Sequence, residues 1–369
     1  MDLPSLKQAI QSQYTAGRAP RPVFTSLNGD NSWLMSFPRP AKECDEVGKA
    51  YYHVVFEPWL GGGSTSMLAN WFLTIRLSEP AAVSTVDQIE AVILQIEEAA
   101  AADSSSRPPK LVENGYGGGI DAILLGFHYL DHVHEPTLRL FDPAIPVIAS
   151  PEAAQIVQAW NHFTTVRLIR DFPTDARSWQ SPDLHPGEPL PTWLRPLRLP
   201  GSQELNYCLT IVWTHCVINS QEEIHEAIFQ TPHGMPLDAG PLDAFLNAEP
   251  PTEKLALLHA LKEGYSAYKL VAYGVKAGIP LYRKVGGTRY WLPTHHSKPW
   301  YTGLFSWLIN INDVERTLDW GLEEEAKTTP QKFGEALERP NLVKVGNGQE
   351  RTKCSRRING WRSRVYRKT

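Results

Sequence analysis

Apolar positions along the chain follow two different periods, and the switches between them mark out a mixed α/β protein. The run "YYHVVFEPWL", from Tyr51, is almost wholly apolar and predicts a buried strand ended by Pro58. "MLANWFLTIRL", from Met67, predicts another strand. Beyond Ser84 the period becomes helical: Val86, Ile89, Val92, Ile93 and Ile96 share one face, and Ser84 serves as N-cap with Asp87 three residues on. "DAILL", "IPVIAS" and "TTVRLI" read as short strands separated by helical segments. The segment after Ser150 places Pro151 at the first helical position and buries Ile156, Val157 and Trp160. A Pro-rich crossover, "PGEPLPTWLRPLRLPG", precedes strands around "YCLTIVW" and "HEAIFQ", a helix around "EKLALLHALKEG" and a strand near "RYWL". Such alternation implies α/β layering. Residues 1–30 read as a lead-in with a short helix around Leu6 and Ile10, 31–350 as one domain without internal repeats, and 351–369 as a basic tail.

Composition narrows the possible partners. The chain has 369 residues and a formal net charge of −4, but Arg351 to Thr369 holds eight basic residues and no acid. Residues 1–350 therefore carry 28 basic against 40 acidic residues, a balance of −12 that disfavours nucleic acid. The tail lacks apolar periodicity and reads as a solvated end. Four scattered cysteines, none in a CxxC pair, suggest a reducing compartment rather than a disulfide framework or a thiolate site. No signal-peptide region and no membrane-length apolar run are evident, so a cytosolic protein is the expectation. Two glycine runs, "GGG" from Gly61 and "GYGGG" from Gly115, lack the context of a phosphate loop, and no Gly-x-Ser-x-Gly elbow is present.

The densest candidate chemistry is "LLGFHYLDHVHEPTL", Leu124 to Leu138, where a buried strand gives way to a loop. His128, Asp131, His132 and His134 combine imidazoles with a carboxylate, the donors of zinc, iron or manganese sites. The same residues also suit a plainer role, with Asp131 capping a helix that begins near Pro136 and the histidines solvated or bonded to backbone.

Several separated segments, taken in order, resemble a fungal branch of the metallo-β-lactamase-fold superfamily over roughly residues 30–345. "HVVFEPWLGGG" is similar to an early strand ending in Asp-Pro-Trp-Leu, with Glu57 where Asp is usual. "DAILLGFHYLDHVHEPTL" resembles the main metal motif, "AWNHFTTV" a Trp-Asn-His-Phe stretch, and "TPHGMPLDAGPLDAFL" a Pro-His-Gly turn. "LALLHAL" and "YWLPTHHSKPWYTGLFSWLI" resemble the segment with the last metal-binding histidine. The resemblance implies a four-layer αββα sandwich with the site at one edge, between the two sheets.

Against that family's His-x-His-x-Asp-His motif, Asp131 and His132 match the Asp-His pair, while Phe127 and Tyr129 stand at the two earlier His positions. The third His of the first metal position falls near Leu205–Tyr207, where Asn206 is offered. The first position is thus expected to be empty. For the second, Asp131, His132 and His295 match, and His233 is available in place of a bridging aspartate. His128 is turned away from the ligand side by alternation.

Two consequences of the resemblance are carried forward, with a third beside them. The leading expectation is a metal-independent enzyme of fungal specialised metabolism. Its aromatic-walled pocket would bind a small hydrophobic terpenoid or polyketide and direct a cyclisation or isomerisation, in the sharpest form a Diels–Alder reaction. Asp131, His132, His295 and Tyr129 would be catalytic, with Phe127, Trp59, Asn206, His233, Trp300 and Tyr301 lining the pocket. The alternative is a hydrolase of an ester, thioester or lactone with one Zn, Fe or Mn ion on Asp131, His132, His233 and His295. The third reading is a non-catalytic binding protein.

Overall fold

Two sheets carry most of the strands, and helices cover an outer face of each. The computed structural model describes residues 20–65, 72–101, 118–203, 205–216, 222–308, 311–328 and 338–351, together with residue 8. The first sheet has the order Glu350–Arg351, Val23–Ser26, Trp33–Pro38, Tyr51–Phe56, Ala122–Leu125, Val147–Ala149, Val166–Leu168. Its first part is antiparallel, and from Tyr51–Phe56 onward every pairing is parallel. The second sheet runs Tyr290–Leu292, Glu253–Leu258, Glu223–Gln230, Asn206–Cys216, Leu194–Gln203, Arg170–Asp171.

Three apolar cores show how these elements pack. One lies between the first sheet and two helices, Val86–Ala101 and Pro151–Ala159, joining Ile89, Ile93, Ile96, Ala154 and Val157 to Leu34, Val55, Ile123 and Val147. A second joins the two sheets, with Trp33, Met35, Phe37 and Phe56 against Ile211, Trp213, Ile228 and Leu255. The third packs the second sheet's Leu197, Val212, Ala227, Phe229 and Leu257 on the helices Gly240–Leu246 and Gly274–Lys284, through Leu242, Phe245, Val275 and Ile279. Inner strands such as Tyr51–Phe56 and Ala122–Leu125 thus have both faces buried, which is why the apolar runs read from the sequence are continuous rather than alternating.

That same continuity misleads at one element. "EKLALL", expected as helix, is the strand Glu253–Leu258, held in parallel between its neighbours; Leu255, Ala256, Leu257 and Leu258 are all buried. A short apolar run bounded on both faces cannot be told from a helix by period alone. Part of the expected crossover is likewise a strand, Leu194–Gln203. It tolerates Pro196 because the neighbouring edge strand pairs only with Leu197 and Arg198. At the helix after Ser84, the cap is Thr85, whose Oγ1 accepts the Gln88 N–H at 3.2 Å, while the Gln88 side chain reaches back to the Ser84 N–H. Ile156 is exposed, and Ala153, Ala154 and Val157 form the buried face of its helix. Val23–Ser26, inside the expected lead-in, is a fully buried strand. The run from Met67 is a strand over Thr74–Arg76, with 67–71 outside the described residues; the helix around Leu6 and Ile10 and the tail beyond Arg351 also lie outside them. Among the described residues no helix is long and apolar enough to cross a membrane.

Candidate metal centre

Parallel strands deliver side chains to one end of a sheet, and that end is where the chemistry gathers. Glu57 follows Tyr51–Phe56, His132 lies beyond Ala122–Leu125, His233 beyond Glu223–Gln230, and His295 beyond Tyr290–Leu292. The ligand-capable nitrogens of His132, His233 and His295 lie within 4.8 Å of one another. Asp131 joins them, its Oδ2 3.7 Å from His132 Nε2 and 3.8 Å from His295 Nε2. Its carboxylate remains 14% exposed, on the solvent side of the cluster.

Hydrogen bonding decides what these rings can do. His132 is wholly buried, and its Nδ1 bonds Glu57 Oε2 at 2.6 Å. A carboxylate accepts, so Nδ1 carries the proton, and Nε2 is left buried with no partner. His295 Nδ1 bonds Asp30 Oδ2 at 3.2 Å in the same manner. His233 is only partly buried as a residue, yet both its ring nitrogens are shut off from solvent and neither has a partner. Each such orphan costs about 1–3 kcal/mol unless something completes it.

Charge completes the picture. Burial opposes a proton on His132, but the carboxylates of Glu57 and Asp131 outweigh it and push its pKa up to about 9. His233 goes the other way: burial, then the neighbouring His295, His132 and Lys262, hold it well below the ordinary histidine value. Burial works against the Asp30 carboxylate, yet His295, Lys262 and the Ser297 N–H keep it ionised far below the usual range. Three imidazoles and a carboxylate, with orphaned nitrogens and carboxylates behind two of the rings, fit one zinc, iron or manganese ion. Glu57 and His295 both sit at positive φ, 44° and 49°. Non-glycine residues there are strained, and such strain gathers at functional sites.

The neighbouring volume is filled by rings. Phe127 is completely buried and stacks on Tyr207 at 4.7 Å and on His233 at 5.0 Å, with Tyr129 5.5 Å away. Tyr207 donates its hydroxyl proton to the Gly126 carbonyl. Phe127 is therefore packing beneath the histidines rather than the wall of an open pocket. Asn206 also departs from expectation: its amide donates to the carbonyls of His233 and Gly234, at 3.2 and 3.3 Å, and Tyr207 is the residue that meets Phe127. Trp59 is buried with its ring 6.0 Å from that of His134. Trp300 and Tyr301 share a strand and so face opposite ways. Tyr301 turns in, its hydroxyl 3.5 Å from Asp313 Oδ2, and Trp300 turns out, 66% exposed.

Four other histidines stand apart from the triad. His134, and not Asp131, is the N-cap residue of the helix Glu135–Leu138, with Nδ1 bonded to Thr137 Oγ1 at 2.8 Å. His162 bonds the Phe141 carbonyl, and His259, expected on a helix face, is buried past the end of a strand with Nδ1 on the Ala260 carbonyl. His128 stacks beside Phe127 and Tyr129, apart from the triad. Sequence reasoning missed Asp30 and undervalued Glu57. They lie 265 and 75 residues from the histidines they hold, so no local spacing could reveal them.

No family model and no curated protein sequence matches the chain. Among solved structures it is similar to an isothiocyanate hydrolase from Delia radicum gut bacteria, with 10% identity, TM-score 0.48 and coverage of 90% of this chain and 98% of that one. A possible metal-dependent hydrolase from Veillonella parvula has 8% identity and TM-score 0.48 over 91% and 100% of the two chains. The metallo-beta-lactamase fold protein YhfI of Bacillus subtilis has 11% identity and TM-score 0.40 over 89% and 98%. At scores below 0.5 these likenesses assign neither a family nor an activity, which rest on the side chains.

Proposed function

We propose that the chain is a hydrolase with one divalent metal ion held by Asp131, His132, His233 and His295, acting on an ester, thioester or lactone. The observation that carries this reading is the convergence of buried, unpartnered nitrogens, Nε2 of His132 and both of His233, on His295 and Asp131. When bound, such an ion supplies Lewis acidity and makes water a nucleophile near neutral pH. The protein's own groups do the rest. Glu57 and Asp30 fix the rings of His132 and His295 with Nε2 facing inward. Asp131, the carboxylate on the solvent side, is placed to accept a proton from arriving water. Burial and the carboxylates of Asp313, Asp131 and Asp30 keep the Tyr301 phenol protonated, free to donate to a developing oxyanion in place of its long bond to Asp313.

The cyclisation reading loses support from the same geometry, because Phe127 is enclosed, Asn206 is turned to backbone and Trp300 faces outward. The three stacked cores support the αββα, metallo-β-lactamase-like arrangement as the frame of this site. The test is elemental analysis of protein purified without chelator, followed by a panel of esters, thioesters and lactones with and without chelator. About one equivalent of metal and chelator-sensitive turnover are expected. Less than about a tenth of an equivalent, even after zinc loading, sinks the reading.

A further inference from the structure

The metal-holding residues sit on loops far apart in sequence, and something must set their spacing. One short turn touches all of those loops except His233's. Between the first two strands, Asn28–Ser32 is entirely buried apart from Gly29. Asp30 grips the His295 loop: its carbonyl accepts from the His295 N–H and the Thr294 hydroxyl, both at 3.2 Å. Its carboxylate accepts from the Ser297 N–H at 2.9 Å and meets His295 Nδ1 at 3.2 Å. Asn31 grips the His132 loop, its amide donating to the Asp131 carbonyl at 2.7 Å and lying 3.3 Å from His132 Nδ1. Ser32 grips the Glu57 turn, donating to the Glu57 carbonyl at 2.7 Å and accepting from the Trp59 N–H at 2.8 Å. Asn28 adds a bond to the Trp59 carbonyl at 3.1 Å.

We propose that the Asp30-Asn31-Ser32 turn is the positioning device of the centre, three successive residues each fixing a different loop of the site, with Asp30 setting the tautomer of His295. The inference rests on the proposed metal centre for its function but stands on hydrogen bonds independent of it. Asp30 acts through His295 and is a positioning residue, not a catalytic one. Its two oxygens are both committed as acceptors. An amide in its place can accept from only one of the two N–H groups, and it turns an NH₂ toward the other. Asp30→Asn therefore either forces His295 Nδ1 to become an acceptor, protonating Nε2 and spoiling its lone pair, or breaks the Ser297 bond and releases the loop.

The experiment compares wild type, Asp30→Asn and Asp121→Asn. Asp121 is as deeply committed, to Lys49, Arg39 and the His53 N–H, but precedes the strand that His132 follows, and so lies at the far end of the sheet. Zinc affinity is read by competition with a chromophoric chelator, and the His295 tautomer by ¹⁵N–¹H correlation in metal-free protein with the ring neutral. Expected are a 10–100-fold loss of zinc affinity in Asp30→Asn, affinity within about threefold of wild type in Asp121→Asn, and a protonated Nδ1 on His295 in wild type that Asp30→Asn changes. Unchanged affinity together with an unchanged tautomer in Asp30→Asn overturns the proposal. If Asp30→Asn does not fold, the wild-type spectrum decides alone: a neutral His295 protonated at Nε2 overturns it. If wild type binds no zinc, the metal centre fails, while the tautomer still judges Asp30.

Discussion

Two buried histidines in this chain face a glutamate, and only one of them belongs to a site. His53 is completely buried, with Nδ1 2.9 Å from Ser36 Oγ and Nε2 2.9 Å from Glu97 Oε1, and Glu97 also accepts the N–H groups of Ala50 and Tyr51. In outline that is a Ser-His-Glu hydrolytic triad. Yet Ser36 is itself fully buried in a central strand, and every nitrogen of His53 is satisfied. His132 has the same burial and the same kind of partner in Glu57, but its second nitrogen faces two more histidines with nothing bonded to it. Between these two, residue types and distances are shared and the unmet hydrogen-bonding capacity is not. An unmet nitrogen is not enough by itself, since His259 Nε2 is also buried without a partner; at His132 it converges with two other imidazoles.

The comparison can be broken in order of effect. His53→Ala should cost about 3–5 kcal/mol in urea unfolding, since Glu97 is left buried without its ring partner, and should leave metal content unchanged. His233→Ala removes a ring that makes no hydrogen bonds, so metal-free stability should fall by about 1 kcal/mol or less. What it should lose is the stabilisation by zinc, about 2.7 kcal/mol in wild type at a hundredfold excess over Kd, read from thermal melts with and without zinc. A large metal-free loss in His233→Ala would place it with His53 as a core residue.

A third buried glutamate sharpens the satisfied class. Burial raises the pKa of Glu226, but His215, Arg21 and Arg289 overcome it and bring the value down from 4.5 to about 2. A carboxylate depressed in the folded state adds stability above its unfolded pKa and loses it as pH falls toward the folded one. Roughly 3 kcal/mol should therefore drain away between pH 4.5 and 2 in wild type, and Glu226→Gln should show a shallower acid limb there. The smallest effect is that of Ser36→Ala, about 1 kcal/mol for one hydrogen bond, with no change in hydrolysis. Loss of turnover in Ser36→Ala would overturn the assignment of that triad to the core.

How far the sequence could carry this depends on how local each signal is. Strands such as Tyr51–Phe56 and Ala122–Leu125, and the helix Val86–Ala101, announce themselves in their own residues. Asp131, His132, His233 and His295 were nameable from motif order, and the structure gathers them. Glu253–Leu258 was misread because burial on both faces erases the period that separates strand from helix. Asn206 was misplaced by one residue, which on a strand sends the side chain to the other face and makes Tyr207 the neighbour of Phe127. Asp30, Asn31 and Ser32 look like an ordinary polar turn, and their role exists only in contacts with loops as far as 267 residues away.

The Asn28–Ser32 turn also has a consequence in time. Its hairpin is synthesised well before some of its partners, and Ser297 follows Asp30 by 267 residues. At about 5–20 residues per second, the turn waits on the order of 13–50 s before its last partner exists. Throughout that interval the acceptors of Asp30 lack their partners at residues 294–297, and a chain stalled short of Thr294 carries a turn that can hold the Glu57 and His132 loops but not the third.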